Sequence, residues 1–409
     1  MPSRRATLAG IGGTLTAILA GRTALGMRTR DAAQEWPMAR YDPAGTSHNP
    51  DAAGPTDGVQ VVWERELGTS FRGESPAPIL LDGTLYAVNG ERLVALDSET
   101  GDRVFEDDGP YGSVPARAAA SIYHTDTLAV TSPAGVYGMN AGGGMRLGPF
   151  DRRIGSIRWE GPGRTSGRDF FGPPQSPPPV AVGERIYAPV PGTEDVVCLE
   201  ANDGSVRWTV APGEDTDFDG AGVTTQPAIR NGKLFLTGPF AAIVAYDADT
   251  GDFLWDAYLE DAPQPLFAPT ATESAVIVSS RGTLTCLEAD GGAIRWTVDL
   301  DGWSTEGSAA VADGRVFIAD GEETIQAIDV ETGETIWSAP FAGQQTPVVA
   351  EDVVYATRRS LEVVAFDAET GDRRWAYDEP EWQLSSPIAV GERLYLLDGT
   401  RAVALEEAT

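Results

Sequence analysis

The stretch from Ala245 to Trp255, Ala-Tyr-Asp-Ala-Asp-Thr-Gly-Asp-Phe-Leu-Trp, carries the main structural signal of this chain. It begins with a small residue, continues through an acidic residue and a Thr-Gly pair, and ends in tryptophan. The same order recurs from Ala327 to Trp337 and from Ala365 to Trp375. Variants of it begin at Ala95, Cys198 and Cys286. Recurrence of so long a pattern predicts a repeat architecture.

Each repeat has further features that indicate short antiparallel strands. Two-residue turns such as Asp82-Gly83, Asn231-Gly232 and Asp313-Gly314 separate pairs of apolar runs, and these dipeptides supply the positive φ angles of tight hairpins. A third strand then ends in the motif, where the acidic residue can accept hydrogen bonds from turn amides and glycine can take the left-handed conformation. Four short strands in about 40 residues predict one propeller blade.

The repeats can be counted from their first strands. These are expected to begin near Pro78, Ala118, Pro178, Pro227, Pro269, Ala309, Pro347 and Pro387. The last unit stops inside its motif at Ala404-Leu405-Glu406, so it lacks a fourth strand, whereas the segment from Val61 to Leu67 resembles a fourth strand without the other three. We therefore predict an all-β, eight-bladed propeller of four-stranded antiparallel blades. The N-terminal strand is expected to complete the C-terminal blade and remove two open sheet edges.

One aromatic residue per blade is expected to pack against the small first residue of a motif. In the second blade the usual position holds Gly148, whereas Trp159 follows a Gly-Ser-Ile-Arg sequence, so we predict an insertion at residues 141–154. Burial of a tryptophan removes about 150–250 Å² from water, so these residues should join the blades. The predicted structural docking series is Trp63, Phe105, Trp159, Trp208, Trp255, Trp296, Trp337 and Trp375.

The charge of the chain limits its partners. Among 409 residues, 61 are acidic and 30 are basic, which gives a net charge of −31. Repulsion from phosphate argues against nucleic acid as a partner. Salt at 1 M shortens the Debye length to about 3 Å, so the acidic composition favours a salt-adapted, halophilic protein. Cys198 and Cys286 occupy equivalent positions two repeats apart, which is too far for a disulfide, so we predict two buried thiols. His48 and His124 lack metal-ligand spacing, so we predict no metal site.

Residues 1–34 are predicted to be an export signal. Paired Arg4-Arg5 precede an uncharged, modestly apolar run from Leu8 to Gly21, which is shorter than the roughly 20 residues of a membrane-spanning helix. Export signals typically have a charged start, a short apolar middle and small residues at the end. The paired arginines indicate the twin-arginine (Tat) route. The alternative is that the segment is an uncleaved anchor. We expect a mature monomer without a membrane span, extracellular or at the cell surface, with a lead-in at 35–58 and one propeller domain at 59–409.

The docking motif resembles that of the pyrroloquinoline-quinone-like (quinoprotein) β-propeller repeat family. The resemblance covers residues 59–409, and Trp36-Pro37, Arg40 and Asp42 also resemble the lead-in of exported members. The resemblance implies a propeller that belongs to one of two functional branches, one catalytic and one non-catalytic. One branch contains alcohol dehydrogenases that bind PQQ between a tryptophan and a disulfide of adjacent cysteines, with Ca²⁺ and an aspartate base. The other contains non-catalytic scaffolds, such as the bacterial outer-membrane assembly lipoprotein BamB.

Two observations favour the non-catalytic, BamB-like branch. The sequence has no adjacent cysteine pair. Its motif acids are distributed one per blade, whereas catalytic groups are expected to converge. We therefore predict no catalytic residue and no cofactor, and keep a PQQ- and Ca²⁺-dependent dehydrogenase, or a quinone-binding protein, as the alternative. Binding of a carbohydrate or polymer is a third possibility.

The second blade contains the longest insertions, at residues 141–154 and 160–175, and they concentrate positive charge. Between Met145 and Asp169 lie six arginines and three acidic residues, in a chain of net charge −31. Loops on a rigid frame often carry function, and arginine is enriched with aromatic residues at interfaces. We predict that this loop pair contacts an acidic protein partner or ligand; simple compensation of local charge is the alternative. The candidate residues are Arg146, Arg152, Arg153, Arg158, Arg164, Arg168, Phe170 and Phe171.

Overall fold

The structure is a computed structural model. It describes residues 34–68, 76–88, 92–109, 111–146, 153–163, 176–215, 222–238, 241–260, 262–300, 302, 307–358, 362–378 and 384–409. The predicted export signal at residues 1–34 therefore lies outside the described residues except for its last position, Gln34.

Eight blades of four antiparallel strands confirm the predicted all-β propeller, and the sheet of blade seven has one additional, parallel strand from the lead-in. Across the described ranges, the only α-helix is α1 (Pro212–Asp215). The lead-in contributes β1 (His48–Asn49), and the N-terminal strand is β2 (Val59–Glu66). Buried apolar side chains of neighbouring blades pack into shared clusters, so the core consists of the layers between blades.

The blades follow one another along the chain. Blade one has β3 (Ile79–Leu81), β4 (Thr84–Val88), β5 (Arg92–Asp97) and β6 (Arg103–Asp108). Blade two has β7 (Ala116–Ala118), β8 (Thr127–Ser132), β9 (Gly135–Asn140) and β12 (Ile157–Glu160), with the hairpin β10 (Met145–Arg146) and β11 (Arg153–Ile154) inserted. Blade three has β13 (Val180–Val182), β14 (Arg185–Pro189), β15 (Val196–Glu200) and β16 (Val206–Val210). Blade four has β17 (Ala228–Arg230), β18 (Lys233–Thr237), β19 (Ala242–Asp247) and β20 (Phe253–Tyr258).

The second half of the ring repeats this order. Blade five has β21 (Thr270–Ala271), β22 (Ala275–Ser280), β23 (Thr283–Glu288) and β24 (Ile294–Asp299). Blade six has β25 (Ala310–Ala312), β26 (Arg315–Ala319), β27 (Thr324–Asp329) and β28 (Thr335–Pro340). Blade seven has β29 (Val348–Ala350), β30 (Val353–Arg358), β31 (Glu362–Asp367) and β32 (Arg373–Asp378). Blade eight has β33 (Ile388–Val390), β34 (Arg393–Asp398), β35 (Arg401–Glu407) and β2.

Tight turns join the first two strands of most blades. Asn231 and Gly232 have φ angles of 50° and 73°, and Asp313 and Gly314 have φ angles of 48° and 75°. These values belong to the left-handed region that a two-residue hairpin requires. The Asp-Gly and Asn-Gly dipeptides therefore form the turns that the sequence indicates.

The tryptophan of each motif joins two blades, and Trp255 shows how. It lies opposite Ala245 in its own sheet, its ring covers Gly292 of blade five, and its Nε1 donates to Ala289 O at 3.1 Å. A Cβ on Gly292 would lie 2.5 Å from the ring, so only glycine allows this contact. The same N–H donation, at 3.0–3.2 Å, is made by Trp63, Trp159, Trp208, Trp296, Trp337 and Trp375.

The acidic residue of the motif shapes the turn that receives the tryptophan. Asp247 Oδ1 accepts hydrogen bonds from the backbone N–H groups of Asp249 and Thr250, both at 2.9 Å. Asp367 makes equivalent bonds in blade seven. Asp97 and Asp329 make the same bonds in blades one and six. These four carboxylates are committed to turns in separate blades and do not converge on a common centre.

The N-terminal strand closes the ring, as predicted. β2 pairs antiparallel with β35 and places Trp63 opposite Ala404. The strand runs from Val59 to Glu66, so it begins two residues before the predicted start and ends one residue before the predicted end. Trp375 donates to Pro55 O at 3.1 Å, so the N-terminal segment supplies the acceptor for the joint between blades seven and eight.

The lead-in fills part of the central channel, which the sequence did not predict. The innermost strand of a blade has one edge that no other strand of the blade pairs with, and in six blades a lead-in carbonyl accepts one backbone N–H from this edge. The donors are Leu80, Arg117, Ile229, Ala271, Val311 and Val349, in blades one, two, four, five, six and seven. Asn49 donates its side-chain N–H to Ala389 O of blade eight at 3.0 Å, and β1 pairs parallel with β29. The lead-in therefore links blades that are distant along the ring.

Candidate interaction surface on blade two

Blade two differs from the other blades at two turns, and both lie at the same end of its sheet. Residues 119–126 connect its first two strands, where the other blades use two or three residues. Residues 141–156 connect its third and fourth strands and contain the β10–β11 hairpin, where blade four uses residues 248–252. The predicted lengthening of the second turn is confirmed, whereas the first was not predicted.

Large apolar side chains are exposed on these two extensions. The exposed fractions are 68% for Ile122, 41% for Tyr123 and 71% for Met145. Blade four has only Asn231 and Gly232 at the position of Ile122 and Tyr123. Exposed apolar side chains on a loop that the ring does not need for its own packing make this end of blade two a candidate interaction surface.

Neighbouring residues hold the 119–126 loop in place. Asn202 of blade three accepts a hydrogen bond from Ile122 N–H at 3.2 Å and donates to Ser121 Oγ at 3.3 Å. Thr125 Oγ1 donates to Asn140 Oδ1 at 2.7 Å, which ties the loop to the second extension. The exposed side chains therefore stand on an ordered backbone, which lowers the entropy lost when a partner binds.

Arg158, one of the predicted contact residues, supports this loop from beneath. Its guanidinium lies 4.0 Å from the centre of the Tyr123 ring and donates to Thr125 O at 2.8 Å and Thr127 Oγ1 at 2.6 Å. Burial lowers the pKa of Arg158, although arginine remains protonated at neutral pH. The arrangement makes Arg158 a positioning residue that combines a cation–π contact with hydrogen bonds to the loop.

Two of the other predicted arginines lie in the inserted hairpin. Arg146 and Arg153 are paired positions in the register of the β10–β11 hairpin. Arg152, Arg164, Arg168, Phe170 and Phe171 lie outside the described residues. The 160–175 connection starts at the end of β12 that lies opposite the hairpin. Because β12 has four residues and spans about 13 Å, the two insertions predicted to act as a pair start about 13 Å apart.

The sequence contained a signal for the loop that motif counting missed. The apolar strands at Ala116–Ala118 and Thr127–Ser132 are separated by more residues than the Asp-Gly and Asn-Gly turns of other blades. Ile122 and Tyr123 stand in this interval between polar residues. Comparison of turn length between repeats would have identified the loop.

Comparison with known proteins agrees with the architecture. The family model described as outer membrane protein assembly factor BamB matches residues 53–188, 143–280 and 280–409. The chain belongs to this family. The BamB-family match begins at residue 53, so most of the lead-in precedes it.

Individual relatives are more distant. BamB of Yersinia pestis is 26% identical over 234 residues, which cover 52% of this chain and 58% of that protein; the chain spans about half the length of the curated relatives it matches. Among solved structures, quinohemoprotein alcohol dehydrogenase of Comamonas testosteroni has a TM-score of 0.67 at 13% identity, covering 93% of this chain and 82% of that one. BamB of Moraxella catarrhalis has a TM-score of 0.58 at 15% identity, covering 85% and 98%. These structures share the fold.

The residues present do not fit the PQQ group of the dehydrogenase branch. Cys198 and Cys286 are free and buried, and each lies opposite a docking tryptophan, in blade three and blade five. Burial raises the pKa of the Cys198 thiol to about 11. Among the residues given above, no cluster of His, Cys, Asp and Glu could hold a metal ion, and no helix is long and apolar enough to cross a membrane. The lead-in also occupies part of the channel.

Proposed function

We propose that this chain is an exported, non-catalytic propeller scaffold that binds a protein partner through the end of blade two. The observation that carries the proposal is the ordered 119–126 loop, which exposes Ile122 and Tyr123. Aromatic and arginine side chains are enriched at protein interfaces, and here the ring of Tyr123 is backed by Arg158. The surface we propose, called the blade-two surface below, comprises residues 119–126, 141–146 and 153–158.

The partner we propose carries an acidic segment. The blade-two insertions concentrate arginines in a chain of net charge −31, and Arg146 and Arg153 occupy paired positions in the hairpin. Complementary charge steers encounter and disfavours wrong partners. An acidic segment beside the apolar side chains of Ile122 and Tyr123 satisfies both features of the surface.

The family supports an assembly role outside the cytoplasm. Its relatives are named outer membrane protein assembly factors, and we extend to this chain the binding of a protein partner at the cell surface. We attribute export to the twin-arginine sequence within residues 1–34, and the acidic composition to adaptation to high salt. The propeller then acts as a rigid support for the blade-two surface.

Comparative capture from the cell envelope tests this proposal. The wild-type chain, a variant with Ile122→Ser and Tyr123→Ser, and the matched blade-four variant Asn231→Ser are purified under identical conditions. We expect one or more proteins recovered by the wild type and by Asn231→Ser to fall at least about tenfold with the double variant, as expected when interface anchors are lost. Equal recovery by all three chains would refute the blade-two surface.

A second arm addresses catalysis. Purified wild-type protein is mixed with PQQ and Ca²⁺ and then given primary alcohols and a dye acceptor. We expect no turnover above the protein-free control. PQQ-dependent dye reduction that is saturable in alcohol would establish the dehydrogenase alternative and end the non-catalytic account.

A further inference from the structure

A cavity of about 230 Å³ lies inside the channel, between the lead-in and the residues that precede the innermost strands. Trp36 and Arg40 line it from the lead-in, and Gln344, Thr346 and Ser386 line it from blades seven and eight. We propose that this cavity binds a small anion, which accepts hydrogen bonds from the Trp36 indole and the Arg40 guanidinium. The inference is independent of the blade-two surface.

Trp36 differs from the seven docking tryptophans. Each of those donates its indole N–H to a backbone carbonyl at 3.0–3.2 Å. Trp36 is 1% exposed, and its Nε1 has no acceptor among the described residues. A buried donor without a partner costs about 1–3 kcal/mol. A ligand in the cavity that accepts a hydrogen bond from Trp36 Nε1 would remove the free-energy cost of this unpaired donor.

Arg40 provides a buried positive charge. It donates to Gln226 Oε1 at 2.9 Å, Thr270 Oγ1 at 3.1 Å and Pro269 O at 2.6 Å, which are all neutral oxygens. Burial lowers the pKa of Arg40 to about 10, so the group stays protonated at neutral pH. Gly45 makes room for the guanidinium, because a Cβ there would lie 2.2 Å from it. A charge this deeply buried is stabilised by a counter-charge.

Asp42 interacts electrostatically with Arg40 and raises its pKa against the effect of burial, but Asp42 does not line the Trp36 cavity. Its Oδ1 accepts the Thr46 backbone N–H at 2.9 Å, and it lines two other cavities, beside blades two to four. Arg40 is the only ionised side chain that lines the Trp36 cavity within the described part of the chain. A cation would therefore meet no carboxylate there, whereas an anion would meet both donors.

The remaining lining also favours an acceptor ligand. Thr346 Oγ1 already accepts the Ser308 backbone N–H at 2.9 Å, which leaves its hydroxyl proton available for donation. Halides and small carboxylates share the required chemistry, since both carry one negative charge and act only as acceptors. The site is built on lead-in residues 36 and 40, which precede the matched family region.

Crystals of the full chain in sodium bromide test the site and distinguish its two ligand sources. We expect a bromine anomalous peak within hydrogen-bonding distance of Trp36 Nε1 and Arg40. Soaks that add excess sodium acetate identify a carboxylate-preferring site if the peak is replaced by acetate density, and a halide-preferring site if the peak persists. Water alone in the cavity, in both soaks, would overturn the proposal.

Trp36→Phe is the decisive variant because it keeps the ring and removes the donor, whereas Arg40→Gln can fail to fold. Bromide affinity, measured from the bromide NMR line width, should fall roughly 10- to 100-fold, as expected for one hydrogen bond to a charged group. Trp255→Phe, which removes an indole N–H from a blade joint, should leave the affinity unchanged. Unaltered binding in Trp36→Phe would identify an adventitious ion only and refute the site.

Discussion

Blade two and blade four use the same tryptophan joint to the next blade, but the turns at one end of their sheets differ in length. Trp159 donates to Ala201 O at 3.0 Å, and Trp255 donates to Ala289 O at 3.1 Å. Blade four connects its third and fourth strands through residues 248–252, whereas blade two uses residues 141–156 and also has the longer 119–126 loop. Sixteen residues in place of five leave the joint geometry unchanged.

This difference separates the frame of the ring from the surface it supports. The insertion keeps the ring contact of the joint, since Gly143 is covered by Phe105 just as Gly251 is covered by Trp208. Phe105 has no N–H to donate, and Ala141 O accepts instead from the Tyr86 hydroxyl at 2.7 Å. The chain between Gly143 and Trp159 is therefore free to vary. Function is expected where length varies and stability where the motif is kept.

The largest expected effect is on the joint, and it should be equal in the two blades. Trp255→Ala and Trp159→Ala should each lower the free energy of unfolding by about 3–5 kcal/mol, because each creates a cavity under a buried ring. Chemical denaturation of both variants at one salt concentration measures this loss. A much smaller loss for Trp159→Ala would show that the insertion weakens the joint of blade two.

A smaller effect is expected from Arg158, which supports the 119–126 loop. Arg158→Ala should lower the free energy of unfolding by about 1–2 kcal/mol through lost hydrogen bonds and the cation–π contact with Tyr123. Arg207 is its counterpart in blade three and pairs with the surface carboxylate of Glu200, so Arg207→Ala should lower stability less than Arg158→Ala does. Equal losses, measured by denaturation, would contradict the positioning role of Arg158.

Replacing residues 141–156 of blade two by the blade-four sequence Ala-Asp-Thr-Gly-Asp should change stability by less than about 1 kcal/mol, because loop length has a weak effect on stability. Its glycine takes the place of Gly143 beneath Phe105. Thermal unfolding measures the stability, and the capture experiment measures binding, which should be weakened, because the chimera keeps the 119–126 loop and loses the hairpin. A folded chimera that recovers the partner as well as the wild type would restrict the blade-two surface to the 119–126 loop.

The acid response should distinguish blade seven from blade two. Hydrogen bonding from Arg374 lowers the pKa of Asp367 to about 2, whereas blade two has Asn140 in the same motif position, which does not titrate. A lowered pKa stabilises the fold above the unfolded value of about 3.9, and this contribution is lost as pH falls from about 4 to 2. Asp367→Asn should reduce the slope of melting temperature against pH in that window.

Asn140→Asp provides the reciprocal variant, since it introduces a carboxylate into the blade-two turn. A wild-type acid slope in Asp367→Asn would contradict the role of the Arg374 contact in blade seven.

Motif spacing predicted the ring because each joint is local and repeated. Ala245, Asp247, Gly251 and Trp255 stand close together in the chain, so their spacing encodes the turn and the docking position. The position of the lead-in in the channel could not be predicted in this way. Its carbonyls accept hydrogen bonds from the amides of residues such as Ile229 and Val349, and backbone acceptors have no sequence pattern. The 119–126 loop was missed because it contains no motif residue, although its length was readable.

Site-specific photocrosslinking tests the central claim most directly. A photoreactive phenylalanine analogue is placed at Ile122 in blade two or at Asn231 in the corresponding turn of blade four, and cells that produce each chain are irradiated. We expect a discrete protein adduct from position 122 and none from position 231. The same adducts from both positions, or an adduct from position 231 alone, would contradict this expectation.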